Sequence, residues 1–271
     1  RERHDARTGW AFMAPFFIMF LLVFAVPICV AIYQSFFRQV ASGGGLYGGG
    51  ELKNQFVGLD NFIMVITSGD FWTGMGRVVV YAAFQIPFMI ISALVLALVL
   101  DSFLIRRVGF FRLTYFLPFA IPGIVAAMVW LYIYTPELSP IVKFFDSFGI
   151  HVDFMAPGAP ILASMANMTT WTYTGYNMLI FLAALQAIPH ELYEAARLDG
   201  ATSWQIVRQI KVPMVSSAAL LAVLLSIIGT IQLFNEPAVM YSSNRWMGNA
   251  YTPIMICRLY TSDAADEGIV V

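Results

Sequence analysis

The stretch PHELYEAARLDGATSWQIVRQIKVP, residues 189 to 213, decides how the rest of the chain is read. It is a polar island, because residues 161 to 187 before it and 214 to 235 after it contain no Asp, Glu, Lys or Arg. About twenty apolar residues suffice to cross a hydrocarbon core of about 30 Å, so the island reads as an aqueous loop between two membrane spans. Within it, Pro189 suits a first helical turn, and Glu191 and Glu194 lie near the positive end of a helix that runs to Leu198. Asp199 and Gly200 break that helix. Thr202-Ser203-Trp204-Gln205 fits a capping box, so a second helix is expected to reach Val212. Trp204, Val207 and Ile210 recur on it at about helical spacing as an apolar stripe, while Ala195 and Ala196 leave the first helix flat enough for a partner to approach.

Outward from the island, charge-free runs recur at 11 to 37, 78 to 100 and 113 to 135, which makes five spans with the two flanking ones. A sixth begins near Tyr251 and is cut short after Ile256 by CRLYTSDAADEGIVV. Hydrophobic residues make up 59% of the chain and charged ones 11%, against about 45–50% and about 25% in ordinary soluble domains. The expected fold is an all-α membrane protein, a polytopic bundle of about six transmembrane helices with the sixth truncated. The first run is too long for a secretory signal and lacks a small-residue cleavage site, so it is expected to stay as an anchor. The chain opens at Arg1 and not at Met, and a missing native start is expected. LYTSDAADE resembles the translated end of a sequencing-library adapter, so residues 257–271 are expected to be a non-native tail.

Positive charge sets the expected orientation. With the N-terminus in the cytoplasm, that side carries Arg1, Arg3, Arg7, Arg106, Arg107, Arg112, Arg197, Arg208 and Lys211, and the other carries Arg38, Lys53, Arg77, Lys143 and Arg245. The bias follows the positive-inside tendency. Segments 38 to 77, 136 to 160 and 236 to 250 then face outward, and Trp10, Phe71, Trp72, Trp130, Tyr132 and Tyr134 near the span ends read as an interfacial belt.

The island also carries a family likeness. Glu194-Ala195-Ala196, Gly200, Ile210 and Pro213 resemble the EAA loop of binding-protein-dependent ABC importer permeases, with Val212 where that pattern more often has Leu. WTYTGYNMLIFLAALQAIP from Trp171 to Pro189, FVGLDNF at 56 to 62 and QLFNEP at 232 to 237 are similar to further signatures of the carbohydrate-uptake branch, the maltose and glycerol-phosphate type. The resemblance covers nearly the whole chain. It implies the type I permease fold, with a transmembrane domain over 1–256, its core from about 74, and the loop at 189–213. It also implies that Glu194, Ala195, Ala196, Asp199, Gly200, Trp204, Val207, Ile210 and Pro213 dock on a separate cytoplasmic ATPase dimer. A second permease subunit and an extracytoplasmic solute-binding protein complete the implied assembly, in the plasma membrane of a bacterium or archaeon.

The rest of the sequence favours a passive chain driven by a partner. The spans hold essentially no ionisable residue, and Asp101 and Glu236 lie only at span edges, so a proton relay is not expected. Glycines at 43 to 45 and 48 to 50 lack the Gly-Lys-Ser/Thr of a phosphate loop and read as a flexible outer loop. ATP and Mg are therefore assigned to the partner, and no cofactor or metal is expected here. Cys29 and Cys257 give no disulfide or metal spacing, His4, His151 and His190 are scattered, and no basic stripe suits nucleic acid. Thr169, Thr172, Tyr173 and Tyr176, at i, i+3, i+4 and i+7, place hydroxyls and rings on one helical face. Neutral hydroxyls and aromatic faces suit a sugar. Ser226, Thr230 and Gln232, with Gly229, extend this candidate substrate set on the next span, although small and hydroxyl residues also serve plain helix packing. The alternatives are a permease for another solute, such as glycerol phosphate or an amino acid, a membrane enzyme lacking any visible catalytic cluster, and a non-transporting scaffold.

Overall fold

The structure is a computed structural model that describes residues 2–42, 51–102, 105, 107–248 and 250–262. Two compact units form, residues 72–256 and residues 1–71 together with 257–271. The glycine-rich 43–50 segment and residues 263–271 of the expected 257–271 tail lie outside the described residues.

In the smaller unit, α1 (Glu2–Phe20) passes through a π-turn at Leu21–Ala25 into α2 (Val26–Ser35). Pro27, at the start of α2, has no N–H to return to the preceding turn, and the wider turn just before it absorbs the break. The apolar part, Phe12–Ser35, is 24 residues long, or about 36 Å at 1.5 Å per residue, enough to cross a bilayer. β1 (Phe37–Ser42) and β2 (Glu51–Phe56) form an antiparallel hairpin with Phe37 opposite Phe56 and Ser42 opposite Glu51. α3 (Asp60–Thr67) follows. Its Asn61 accepts from Arg38 at 3.0 and 2.8 Å and donates to the Ser35 and Phe37 carbonyls at 2.9 and 3.0 Å. That is a physical reason for the Asn in FVGLDNF: it pins the end of α2 to the start of β1.

The larger unit is built on α4 (Gly69–Leu100) and α8 (Ala159–Gln186), helices of 32 and 28 residues. Between them, α5 (Val108–Phe116) runs through a 3-10 turn at Leu117–Ala120 to α6 (Gly123–Tyr134), and the chain bends by 94° at the break. Pro122 explains the bend. It disfavours helical backbone at the preceding residue, and Ile121 is extended at φ −81, ψ 130. α7 (Pro140–Ser147) precedes α8; α12 (Ser216–Ile231), α13 (Asn235–Ser243) and α14 (Pro253–Ser262) follow the polar island.

The five expected spans are thus corrected in two places. Phe12–Ser35, Gly69–Leu100 and Ser216–Ser243 are long and apolar enough to cross a membrane, but 113 to 135 is a bent pair. The run 161 to 187 is one helix, α8, yet it is too rich in Thr, Asn and Tyr to rank with those three. It tolerates that polarity because it runs through the middle of the unit. Toward one end it packs Ile161, Met165 and Met168 against Tyr81, Tyr134, Met240 and Tyr251; toward the other it packs Met178, Phe181, Leu182 and Leu185 against Met89, Ala93, Ala97 and Val215. Gly175 lets α5 press against it, since a Cβ there would collide with the Tyr115 carbonyl. Trp130 and Tyr134 also depart from the expected belt. Tyr134 is buried and accepts from Asn167 at 2.7 Å, while Trp130 stacks on Tyr134 and meets Trp171 edge-on. Trp10, Trp72 and Tyr132 are exposed.

Candidate functional site

The polar island folds as two helices with a sharp joint. α9 (His190–Leu198) starts just after Pro189, which stands outside it as the N-cap with φ −58, ψ 136. Its last turn closes as a Schellman motif, with Ala201 N–H donating to the Ala196 carbonyl at 2.9 Å and Gly200 N–H to that of Arg197 at 3.1 Å. Gly200 sits at φ +81, a left-handed backbone that suits glycine. The second helix opens on a complete capping box: Gln205 N–H donates to the Thr202 hydroxyl at 3.4 Å, and Thr202 N–H donates to Gln205 Oε1 at 2.7 Å. α10 (Ser203–Ile206) continues through a π-turn at Val207–Lys211 into α11 (Val212–Met214), two residues past the expected end.

The expected stripe is only partly exposed. Ile206 turns in and is buried, Val207 and Ile210 are half-buried, and Trp204 is 70% exposed. Leu198, at the joint, is 89% exposed. Glu194, Ala195, Asp199 and Pro213 are exposed too, and Ala196 is half-buried. The loop therefore presents two large apolar side chains around a stiff turn. Beneath it, Lys211 Nζ lies 2.6 Å from Asp101 Oδ2 at the end of α4, and 5.3 Å from the centre of the Tyr193 ring. Burial raises the Tyr193 phenol above its ordinary pKa, and the nearby Asp101 adds to the effect.

On α8 the candidate substrate residues separate. Thr169 accepts from the Tyr81 hydroxyl at 2.7 Å, and Glu236 lies beside it. Tyr176 stacks on Phe119 with ring centres 4.6 Å apart, and Tyr173 meets the same ring edge-on at 5.8 Å. One α8 face thus joins hydroxyls, rings and a carboxyl from α4, the 117–120 turn and α13. Thr172 falls outside this group: it is buried, and its hydroxyl donates to its own helix at Met168. Ser226 and Thr230 likewise donate to α12 carbonyls at Ala222 and Ser226, Thr230 is buried, and Gln232 is exposed. Among the described residues, no side-chain hydrogen bond joins that α12 set to α8.

Tyr81, Phe119 and Glu236 are the members that sequence reasoning missed. Tyr81 looked like one more apolar-span residue, Phe119 gains its place only through the bend, and Glu236 looked like a span-edge charge. QLFNEP offered one signal, since Asn235 packs where a Cβ on Gly123 would come within 3.0 Å of its amide nitrogen, which brings the start of α13 to the start of α6. Deeper in the unit, Gln85 is 2% exposed and its Oε1 has no partner, while its amide nitrogen and that of Asn177 approach Met89 Sδ at 3.3 and 3.7 Å. Among the described residues, no group of three or more His, Cys, Asp or Glu could hold a metal ion.

The larger unit is thus a bundle of apolar helices around one polar helix, with a capped two-helix loop between α8 and α12, an architecture that membrane transport subunits use. The family follows directly: the profile described as "Binding-protein-dependent transport system inner membrane component" matches residues 90–256, and the chain belongs to that family. It is 28% identical over 235 residues to the probable ABC transporter permease protein YurN of Bacillus subtilis, covering 85% of this chain and 77% of that one. It is 29% identical over 239 residues to the lactose transport system permease protein LacF of Rhizobium radiobacter, covering 87% and 76%. Against the sn-glycerol-3-phosphate transport system permease protein UgpA of Brucella abortus it is 33% identical over 205 residues, covering 74% and 67%. Among solved structures, a chain of a bacterial ABC transporter involved in alginate import superposes with TM-score 0.70 over 99% of this chain and 90% of that chain, at 19% identity. That likeness is one of fold, and the fold is that of an ABC importer permease.

Proposed function

We propose that this chain forms half of the translocation pathway of an ATP-driven, binding-protein-dependent sugar importer. Its N-terminus lies in the cytoplasm, and the domain extends over residues 1–256. A second, related permease supplies the other half, a separate ATPase dimer binds ATP and Mg and docks on the 189–213 loop, and a solute-binding protein delivers the sugar from outside. The observation that carries this reading is the α8 face, where Thr169, Tyr173 and Tyr176 gather with Tyr81 and Phe119 inside a membrane unit. Sugar hydroxyls need neutral hydrogen-bond partners and sugar C–H faces stack on rings, and this face supplies both. Relatives named for lactose and for starch degradation products support a sugar as the solute. The glycerol-phosphate relatives favour an anionic solute as the second reading. Glu236 beside Thr169 speaks against it, because an ionised carboxylate there would repel a phosphate and donate no hydrogen bond to it.

In this mechanism ATP-driven closure of the ATPase dimer pushes on the loop between Glu194 and Ile210. Leu198 and Trp204 provide the apolar contact, and the Schellman joint and capping box make the loop stiff enough to pass on the push. The cavity then opens outward to accept the sugar. The test is ATPase activity of the reconstituted complex, with and without loaded binding protein, in the wild type and in Glu194→Lys and Gly200→Asp. Loss of stimulation with intact assembly is expected; unchanged stimulation would reduce the loop to a passive linker and overturn the reading.

A further inference from the structure

The loop continues covalently into α8 on one side and α12 on the other, but it reaches α4 only through side chains. Those side chains are few and specific. Lys211 and Asp101, 110 residues apart in sequence, close to 2.6 Å with only 15% and 16% of their side chains exposed. Tyr193 packs against the Lys211 ammonium and onto the cluster of Leu100, Leu185, Ile188 and Val215, and its hydroxyl is buried without a hydrogen-bond partner. Both loop helices are therefore tied to the last turn of α4. From Asp101, α4 runs back through Gln85 to Tyr81, about 30 Å away at 1.5 Å per residue.

We infer that the Asp101–Lys211 ion pair, clamped by Tyr193, is the strut that carries motion of the 189–213 loop into α4, so that Tyr81 moves together with the α8 face it bonds to. Asp101 and Lys211 are positioning residues and touch no solute. The pair suits that task because it is directional and largely withdrawn from water: removing one partner leaves the other charge uncompensated. Apolar packing alone would let the loop slide along α4. The inference rests on the reading of the loop as the ATPase-coupling element, and its test separates the two.

The test uses the full complex isolated with its own ATPase. Cys29 and Cys257, both exposed, are replaced by Ser, and spin labels are placed at the exposed position Phe84 on α4 and on the second permease subunit, which the loop does not enter. The distance between labels is measured before and after trapping with Mg-ATP and vanadate. In the otherwise unmodified complex trapping is expected to shift the distance. Asp101→Asn and Lys211→Met are expected to lose the shift while the ATPase still co-purifies and hydrolyses ATP, and Lys211→Arg, which keeps the charge, is expected to retain it. A shift that persists in both neutral variants overturns the strut and leaves the loop reading intact. No shift even in the unmodified complex, or a shift untouched by Glu194→Lys, overturns both. If the neutral variants fail to reach the membrane, the exchanged pair Asp101→Lys with Lys211→Asp decides: a restored shift supports the strut, and a lost one overturns it.

Discussion

α8 and α12 flank the same loop, and their environments are opposite. Eleven residues of α8 are buried, among them Ser164, Thr172 and Asn177; in α12 only Ala222 and Thr230 are. The outward side chains of α12 are Leu220, Leu221, Leu224, Leu225, Ile227, Ile228 and Ile231, all exposed. The difference shows where a membrane helix can hold polar groups. Lipid offers no hydrogen-bond partner, so Thr, Asn and Tyr gather on the helix that other helices surround, and the helix facing outward stays aliphatic.

The comparison breaks most sharply at Gly175. A side chain there meets backbone, which cannot swing away, so Gly175→Leu is expected to abolish accumulation of folded subunit, read as monodisperse protein from detergent-solubilised membranes. Wild-type yield would show that α5 and α8 do not approach as described. Phe181→Ala comes next. The ring is wholly buried, and its loss should cost about 3 kcal/mol, seen as a lower unfolding midpoint in denaturant. On the loop between the helices, Thr202→Ala removes half of the capping box and should cost about 1 kcal/mol, with faster amide hydrogen exchange confined to 203–206. Tyr81→Phe deletes the bond to Thr169 and should cost about 0.6 kcal/mol, in line with hydrogen bonds between membrane helices; a double-mutant cycle with Thr169→Val isolates the coupling. Leu224→Ala on the outward face of α12 should change stability by less than about 0.5 kcal/mol. An effect as large as that of Phe181→Ala would place α12 in a core.

The helices and the loop chemistry were legible in the sequence because they depend on neighbours a few residues apart. Thr202 with Gln205, Asp199-Gly200 and the charge-free runs all write their structure locally. The π-turn at Val207–Lys211 was not legible, since nothing in VRQIK forbids an ordinary helix, and the burial of Ile206, outside the expected stripe, depends on contacts made elsewhere in the fold. Pro118 and Pro122 each interrupt a helix by their own chemistry, but nothing local in them sets a right-angle bend. The split of the substrate set follows the same division. Thr169, Tyr173 and Tyr176 share a face by spacing alone, whereas Tyr81, Phe119 and Glu236 join them through contacts between residues far apart in the chain. Thr172, one turn from Thr169, has the same chemistry and the opposite fate, decided by which neighbour lies against it.

The bend at Leu117–Pro122 has a consequence for how the chain is made. Val108–Ala120 and Gly123–Tyr134 are 13 and 12 residues long, about 20 and 18 Å, and neither half alone spans a core of about 30 Å. An insertion machine that releases finished spans one by one into lipid cannot release this segment in its final shape. Its partners, Gly175 on α8 and Asn235 at the start of α13, emerge from the ribosome after it. Residues 108–134 must wait, either as one straighter helix or shielded at the insertion site, until the chain has been synthesised beyond Asn235.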